Sequence, residues 1–229
     1  MNISRLKSIR HSPRSGDCKR DEPEAKEADP VTAVADALIQ AVRPYVTQPV
    51  WGMIQLQRLT GMRPGEVTAI RGRDLNMMGK VWEYIPESHK TEHHGKRRII
   101  FIGPKAQQIV REYLKPNLQE YLFSPKDGRS EFVELNYPKS SKPKRDGKRK
   151  PGNHYSVYTY HGAVRRACLK VGIPHWHPNQ LRHSAATAIR READIDTART
   201  VLGHSSVAIT EVYAEQDFET ARRIIAKIG

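Results

Sequence analysis

Residues 177–187 read HPNQLRHSAAT and predict the first turns of a helix. Pro178 suits a first helical position, and the alanines that follow favour continuation of the helix. The apolar positions recur every four residues and predict a stripe that faces a core. They are Leu181, Ala185 and Ile189. At about 100° per residue, Asn179, Arg182 and His183 project on roughly the opposite side, as either an ordinary wet surface or a site for an anion.

The composition favours a polyanionic partner. The chain has 229 residues, with 39 Lys and Arg against 25 Asp and Glu, so its formal net charge is +14. An excess of this size favours nucleic acid ahead of an anionic membrane. Cys18 and Cys168 lie far apart, which argues against a zinc module or a disulfide scaffold and fits a reducing compartment. No apolar run approaches the length of a membrane span and the N-terminus has no signal-peptide core, so we expect a soluble, cytoplasmic protein. We also expect no metal and no cofactor.

The first half of the chain predicts a tail followed by helices. Residues 1–30 carry seven basic and six acidic side chains with few apolar ones, which is typical of a disordered tail. DPVTAVADALIQAV and PVWGMIQLQRLTG then have helical periodicity, and Gly61 ends the second of these helices. RPGEVTAI begins a short helix, with Pro64 in its first turn and Glu66 near the positive end of the helix dipole.

The pattern then changes period and later returns to helix. KVWEYIPES and KRRIIFIGP are strand-like and predict an antiparallel hairpin around the polar run HKTEHHG. Helical segments follow in PKAQQIVREYLK, VYTYHGAVRRACLKVG, PNQLRHSAATAIRRE, DIDTARTVLG, SSVAITEVYA and DFETARRIIAKIG. We therefore predict an α+β domain over residues 31–229 that is mainly helical, with one small antiparallel sheet.

A long basic loop interrupts this helical half at residues 138–154. It holds seven Lys and Arg, one Asp and several residues that break helices and strands. A loop of this length is usually functional or disordered, and we favour a contact with the DNA backbone over a solvated linker. The predicted DNA-contacting residues are Lys139, Lys142, Lys144, Arg145, Lys148, Arg149 and Lys150.

Four stretches place polar groups at the edges of apolar elements, and together they carry a family resemblance. In order they are TGMRPGEV, SHKTEHHGKRR, PNQLRHSAAT and LGHSSVAITEVYA. In this order and spacing they resemble the tyrosine recombinase, or phage integrase, family over roughly residues 45–229. The resemblance implies a helical catalytic domain that cleaves a DNA strand with a tyrosine. The energy of the phosphodiester is kept in a covalent 3′-phosphotyrosine, which a free 5′-hydroxyl then reverses.

The resemblance assigns two arginines and one lysine to the phosphate chemistry. A phosphate that becomes five-coordinate gains negative charge, and guanidinium groups fit its non-bridging oxygens. Arg63 and Arg182 match the two family arginines, although Arg63 could instead be a helix-start residue paired with Glu66. Lys90 matches the lysine that protonates the leaving 5′-oxygen, with Lys96 in the same turn as the competing candidate. We interpret the histidines of EHHGK in this turn as solvated or near phosphate rather than as a metal site, since no carboxylate cluster with metal spacing accompanies them.

Tyr213 matches the family nucleophile, nine residues after His204. In one continuous helix the two side chains would lie roughly 13 Å apart, too far to share a phosphate. Gly203 and Ser205 predict the end of one helix and the cap of the next, so the chain can fold back. His204 would then donate a hydrogen bond to a phosphate oxygen.

Asn179 departs from the commonest family pattern, which has a histidine at this position. An amide can donate to phosphate, but it has no useful basicity near neutral pH, so the general base stays unassigned. We expect Asn179 to be an auxiliary donor, and His177 and His183 to be structural.

The resemblance also implies a partner and leaves alternatives open. The partner is double-stranded DNA, bound in the family by a homo-oligomer, a tetramer on DNA. The separate core-binding domain usual in the family is expected to be absent. The C-terminal helix could pack on a neighbouring subunit or on its own core. A catalytically idle DNA-binding protein and a topoisomerase-like strand-relaxing activity are the competing functions.

Overall fold

The computed structural model describes residues 32–87, 98–137, 150–192, 200–203 and 218–228, all within one unit that spans Val31–Gly229. The helices are α1 Asp36–Ala41, α2 Gln48–Thr60, α3 Pro64–Ala69, α4 Pro104–Tyr113, α5 Arg129–Asn136, α6 Val157–Val171, α7 Pro178–Glu192 and α8 Phe218–Ile228. The strands are β1 Leu75–Asn76, β2 Trp82–Tyr84 and β3 Ile100–Ile102, and short 3-10 helices occupy Arg43–Tyr45 and Gly72–Asp74. Residues 200–202 are also helical.

Helix α2 lies at the centre of the main core. It packs against α3, α4 and α7, and Met53, Ile54 and Leu56 on it are fully buried. The predicted boundary is confirmed, because Gly61 ends the helix with a φ of 66° and donates its N–H to the carbonyl of Gln57 at 2.8 Å. This left-handed conformation favours glycine and turns the chain directly into α3.

The predicted antiparallel hairpin is confirmed as β2 and β3. Trp82 pairs with Ile102 and Tyr84 with Ile100, and the buried side chains of these residues line the core. A third strand, β1, pairs with β2 through Leu75 opposite Tyr84, so the sheet order is β1-β2-β3. The sequence did not predict β1, because two residues are too few to show a strand alternation.

A second, smaller core forms where α8 packs against β3 and α7. Its buried side chains are Phe101, Ile189, Val201, Ala221 and Ile225. Polar contacts surround it: Lys227 pairs with Glu192 at 2.7 Å, and Arg222 pairs with Glu83. Of the two arrangements considered for the C-terminal helix, the structure has the one in which it folds back on its own core.

One predicted boundary in the described residues differs from the structure, and one helix was missed. Helix α1 begins at Asp36 rather than near residue 29, and residues 32–35 are not helical. The reason is tertiary: Val34 accepts and donates hydrogen bonds through its backbone with the Ser184 hydroxyl of α7. Helix α5 was not predicted at all.

Several predictions fall on residues outside the described ranges. These are the tail at residues 1–30, most of the basic loop, and the helix predicted for SSVAITEVYA. Among the residues that are described, no helix combines the length and apolar character needed to cross a membrane.

Candidate active site

Arg63 stands at the start of α3, where its side chain and backbone both contact Glu66. The Arg63 N–H donates to Glu66 Oε2 at 2.6 Å, and Arg63 Nη1 donates to Oε1 at 3.0 Å. The carboxylate reaches back to a helix-start N–H, which is the second half of a capping box. The helix-start contact considered for Arg63 is therefore present. The side chain remains 26% exposed, so part of the guanidinium faces solvent.

Arg98 is a second cation on Glu66 that the sequence analysis did not identify. Its Nε donates to Glu66 Oε1 at 3.2 Å and its Nη1 to the carbonyl of Val201 at 3.2 Å. Burial raises the pKa of Glu66, but Arg98 and Arg63 outweigh it, so the net pKa lies below its usual value. Burial lowers the pKa of Arg98, and Glu66 opposes that shift. Within the described part of the chain, the buried Nη2 of Arg98 has no hydrogen-bond partner.

Arg182 is buried in the interior and does not lie on a wet face. The residue is 5% exposed, whereas the sequence analysis placed it opposite the core-facing stripe with Asn179 and His183, as either a wet surface or an anion site. Its Nη1 donates to the carbonyl of Gly61 at 2.7 Å, and its Nη2 donates to that of Leu202. The prediction was wrong for Arg182, because at about 100° per residue it projects within about 20° of Ile189, at the edge of the core-facing stripe. Two helix-end carbonyls receive its charge. Asn179 is exposed and His183 is half-buried.

The two carbonyls fix the position of Arg182, and its burial shifts its pKa. Burial lowers its pKa to about 9, and the nearby charges of Arg98 and Arg63 add to the effect while Glu66 opposes it. The group therefore stays charged at neutral pH. Hydrogen bonds from a charged donor contribute about 1.5–3 kcal/mol each, so two of them hold the end of α2 firmly to residues 200–203.

Two glycines allow these segments to approach closely. Gly61 and Gly203 have φ values of 66° and 62°, in the left-handed region that favours glycine. A Cβ at Gly203 would lie 2.6 Å from Arg98 Nη1, and a Cβ at Gly61 would contact the side chain of Leu202. The chain therefore leaves this junction at Gly203 and continues directly into His204.

Arg63, Arg98 and Arg182, together with Glu66, form what we call the arginine cluster. It lies where the start of α3, the segment just before β3, the second turn of α7 and residues 200–203 meet. Three guanidinium groups face one carboxylate, which leaves a net positive charge with one partly exposed cation. Fixed cations in a low-dielectric setting are what a developing oxyanion on phosphorus needs.

The structure describes only part of the predicted site. It brings Arg63 and Arg182 together through Gly61, and it puts exposed Asn179 on the first turn of α7. Lys90, His204 and Tyr213 lie outside the described residues. Of the predicted DNA-contacting residues, Lys150 alone is described, and it is exposed.

Comparisons with known proteins agree on one family. The sequence model of the phage integrase family matches residues 32–220. The tyrosine recombinase XerC of Actinobacillus pleuropneumoniae is 28% identical over 174 residues, which cover 75% of this chain and 49% of that protein. The tyrosine recombinase XerD of Corynebacterium glutamicum is 30% identical over 176 residues, 75% of this chain and 50% of that protein. The chain thus spans about half the length of the curated relatives it matches.

Solved structures share the fold. The integrase from mycobacterium phage Brujita superposes with a TM-score of 0.57 at 16% identity, over 90% of this chain and 61% of that one. The Tn1549 transposon integrase, solved in complex with transposon right end DNA, superposes with a TM-score of 0.52 at 17% identity. That match covers 88% of this chain and 67% of the transposon integrase.

Proposed function

The chain belongs to the phage integrase family of tyrosine recombinases, and on that premise we propose that residues 31–229 are a catalytic domain that breaks and rejoins DNA strands at specific sites. Tyr213 is the proposed nucleophile. Its hydroxyl oxygen bonds to the scissile phosphorus, the bond to the 5′-oxygen breaks, and a 3′-phosphotyrosine forms. Attack by a free 5′-hydroxyl on that ester restores the phosphodiester and releases the tyrosine.

The observation that carries the proposal is the arginine cluster. Arg63 and Arg182 come from motifs more than a hundred residues apart, yet they meet at Gly61. Arg63 follows Gly61 by two residues, and Arg182 donates to the Gly61 carbonyl. Arg63 is the more exposed of the two and is the proposed direct ligand of the phosphate. Two of the five N–H donors of Arg182 bind backbone carbonyls. Its positive charge and its remaining donors are proposed to act on the phosphate.

Residues 200–203 support the proposed position of the nucleophile segment. Arg182 and Arg98 hold the carbonyls of Leu202 and Val201, immediately before His204. A chain fixed at Gly203 starts the nucleophile segment beside the cations. We propose His204 as a phosphate donor, Lys90 as the acid that protonates the leaving oxygen, and Asn179 as an auxiliary donor.

Double-stranded DNA is the proposed substrate. The net charge of +14 and the basic loop supply the attraction to its backbone. Assembly of several copies on DNA would be required for strand exchange between two sites, and we propose a homo-oligomer for that step. Neither the cleavage step nor its cations call on a metal.

A nicked DNA substrate tests the proposal, because the fragment beyond the nick diffuses away and the covalent adduct accumulates. The wild-type chain should form an adduct that survives denaturing electrophoresis, whereas Tyr213→Phe should form none. Tyr158→Phe is the matched control, since Tyr158 is 84% exposed and should leave adduct formation unchanged. An adduct that persists in Tyr213→Phe contradicts the assignment.

The same preparation separates the competing functions. Salt-sensitive DNA binding without any adduct would indicate an idle DNA-binding protein. Relaxation of supercoiled plasmid without recombinant products would indicate a topoisomerase-like activity. Recombinant products from two sites would support the proposed strand exchange.

A further inference from the structure

Three histidines converge on the surface where α6 meets the start of α7. His161 lies on α6, and His175 and His177 lie in the irregular segment that leads into α7. His161 Nε2 and His175 Nε2 are 3.1 Å apart, and one nitrogen of each of the three rings lies within 4.8 Å of the others. The ring centroids are 4.5–4.9 Å apart. We call these three residues the histidine triad.

We propose that the histidine triad is a binding site for a transition-metal dication, with Zn²⁺ as the best match. Imidazole nitrogens suit zinc, and three of them with one open position make a recognised tetrahedral donor set. Zinc–nitrogen bonds of about 2.0–2.1 Å put the ligand nitrogens about 3.3 Å apart. One pair is already at that separation, and the widest needs to close by roughly 1.5 Å.

The chain can make that adjustment where it is needed. His175 and His177 are exposed and belong to a segment without regular structure, whereas His161 is half-buried on a helix and gives a fixed point. The His177 N–H donates to Gln180 Oε1 at 2.8 Å, which holds this residue at the start of α7. Trp176, which lies between His175 and His177, is buried in the main core, so closure rests on rotation of these two exposed histidine side chains.

The pKa values of two triad histidines are shifted downward. Burial lowers the pKa of His161, and the neighbouring His177 and Arg165 lower it further. The pKa of His175 is lowered by burial, by the other two histidines and by Arg165. A metal binds the lone pair of an unprotonated imidazole ring. The positive charge of Arg165, which lies near His161 and His175, opposes the binding of a dication.

The proposed consequence is a metal clip between α6 and α7. The metal would hold residues 172–177, which connect the two helices, against α6. It would thereby also fix the first turn of α7, which carries Asn179. The clip is separate from the arginine cluster, so its failure would leave the proposed strand cleavage intact.

Titration calorimetry with ZnCl₂ alone, on the chain first treated with EDTA, tests this site. The wild type should bind one Zn²⁺ per chain and should not respond to MgCl₂, because Mg²⁺ prefers oxygen ligands. His161→Ala and His177→Ala should each weaken zinc binding about tenfold or more, since even groups behind the ligands are worth 10–100-fold in metal affinity. Both variants are at the surface, and their unfolding transitions in EDTA should match the wild type.

Two histidine controls distinguish the triad from other sources of zinc binding. His154 is exposed and stacks on Tyr121, with ring centroids 4.3 Å apart, so His154→Ala should bind zinc like the wild type. The His93→Ala/His94→Ala double variant tests the turn EHHGK and should also bind like the wild type. No zinc binding by the wild type, unchanged affinity in His161→Ala and His177→Ala, or loss of binding in the double variant would each overturn the proposal. If one triad variant fails to fold, His175→Ala takes its place.

Discussion

The arginine cluster and the histidine triad both gather basic side chains beside α7, but the fold holds them in different ways. In the arginine cluster, the two buried cations are tied to a carboxylate or to backbone carbonyls of other segments. The triad is held mainly by its own rings, at the surface. Removal of a buried cation or of its partner therefore leaves the other group unpaired and lowers the free energy of unfolding. A change in the triad leaves the core packing intact.

The same difference separates roles inside the arginine cluster. Arg98 and Arg182 join segments that are far apart in sequence, so their removal affects folding as well as chemistry. Arg63 is partly exposed, and among the described residues its side chain pairs with Glu66, three residues away. Its removal should affect mainly the chemistry.

Removal of the central carboxylate should have the largest effect on stability. Glu66→Ala leaves Arg98 as a buried charge without its counterion, and breaking such a pair costs about 3–5 kcal/mol. Urea unfolding monitored by circular dichroism measures this loss. Glu87→Ala is the control, since its carboxylate is 68% exposed and pairs with Arg71 and Arg73 at the surface. It should cost about 1 kcal/mol or less. Equal losses in the two variants would remove the distinction between the buried cluster and the surface.

Removal of the exposed arginine should affect rate more than stability. Arg63→Ala should slow adduct formation about 10² to 10³-fold, by analogy with loss of one donor to a developing oxyanion. Arg58→Ala is a matched control on α2: it pairs with Asp36 and is 29% exposed, close to the 26% of Arg63. Single-turnover cleavage of the nicked substrate should be unchanged in Arg58→Ala. Similar rates in both variants would leave only the helix-start role for Arg63.

Acidification should separate the two clusters by pH. The lowered pKa of Glu66 in the folded chain means that its stabilisation is full above the ordinary value of about 4.3 and is lost as the pH falls through the folded value. The pKa values of His161 and His175 are also lowered in the folded chain, so the unfolded chain binds their protons more readily. Their contribution to the free energy of unfolding is therefore lost at a higher pH than that of Glu66, from about pH 6.5 downward.

Unfolding free energies measured against pH for two variants check this order. Below about pH 4.5, the free energy of unfolding of Glu66→Gln should fall less steeply than that of the wild type. Above that pH the two curves should run parallel. The His161→Ala/His175→Ala variant should flatten the curve near pH 6.5 and leave the lower part unchanged. A single common step that neither variant alters would contradict both assignments.

The smallest effect is expected at the triad itself. His161→Ala without metal should change the free energy of unfolding by no more than about 0.5 kcal/mol, because a surface substitution away from the core removes little packing. Chemical unfolding in EDTA measures it. A loss as large as that of Glu66→Ala would mean that the triad is part of the core structure.

The sequence predicted what local rules control. Gly61 and Pro64 mark the end of α2 and the start of α3, and the alternation around Trp82 and Ile100 gave the hairpin. The tertiary ties could not be predicted in this way. Arg98 meets Glu66 across 32 residues and Val201 across 103, and no periodicity links such positions. The burial of Arg182, by contrast, follows the local rule, because at about 100° per residue it projects within about 20° of Ile189. Its two carbonyl partners do not follow from any such rule.

The histidine triad shows the same limit at the surface. His161 and His175 are fourteen residues apart, with the end of a helix and a glycine turn between them. The zinc patterns recognised in sequence pair close ligands on both sides of a longer gap, whereas here one side of the gap holds a single histidine. Only the return of the chain at Gly172 brings the rings together.

Mass spectrometry of the trapped protein–DNA adduct tests the central claim most directly. Trypsin cleavage after Arg199 and Arg222 releases residues 200–222, which contain a single tyrosine, Tyr213. After nuclease digestion, this peptide should carry a 3′-linked nucleotide on Tyr213, and the same peptide from Tyr213→Phe should carry none. A nucleotide on any other residue, or DNA binding with no modified peptide, would contradict strand cleavage by Tyr213 beside the arginine cluster.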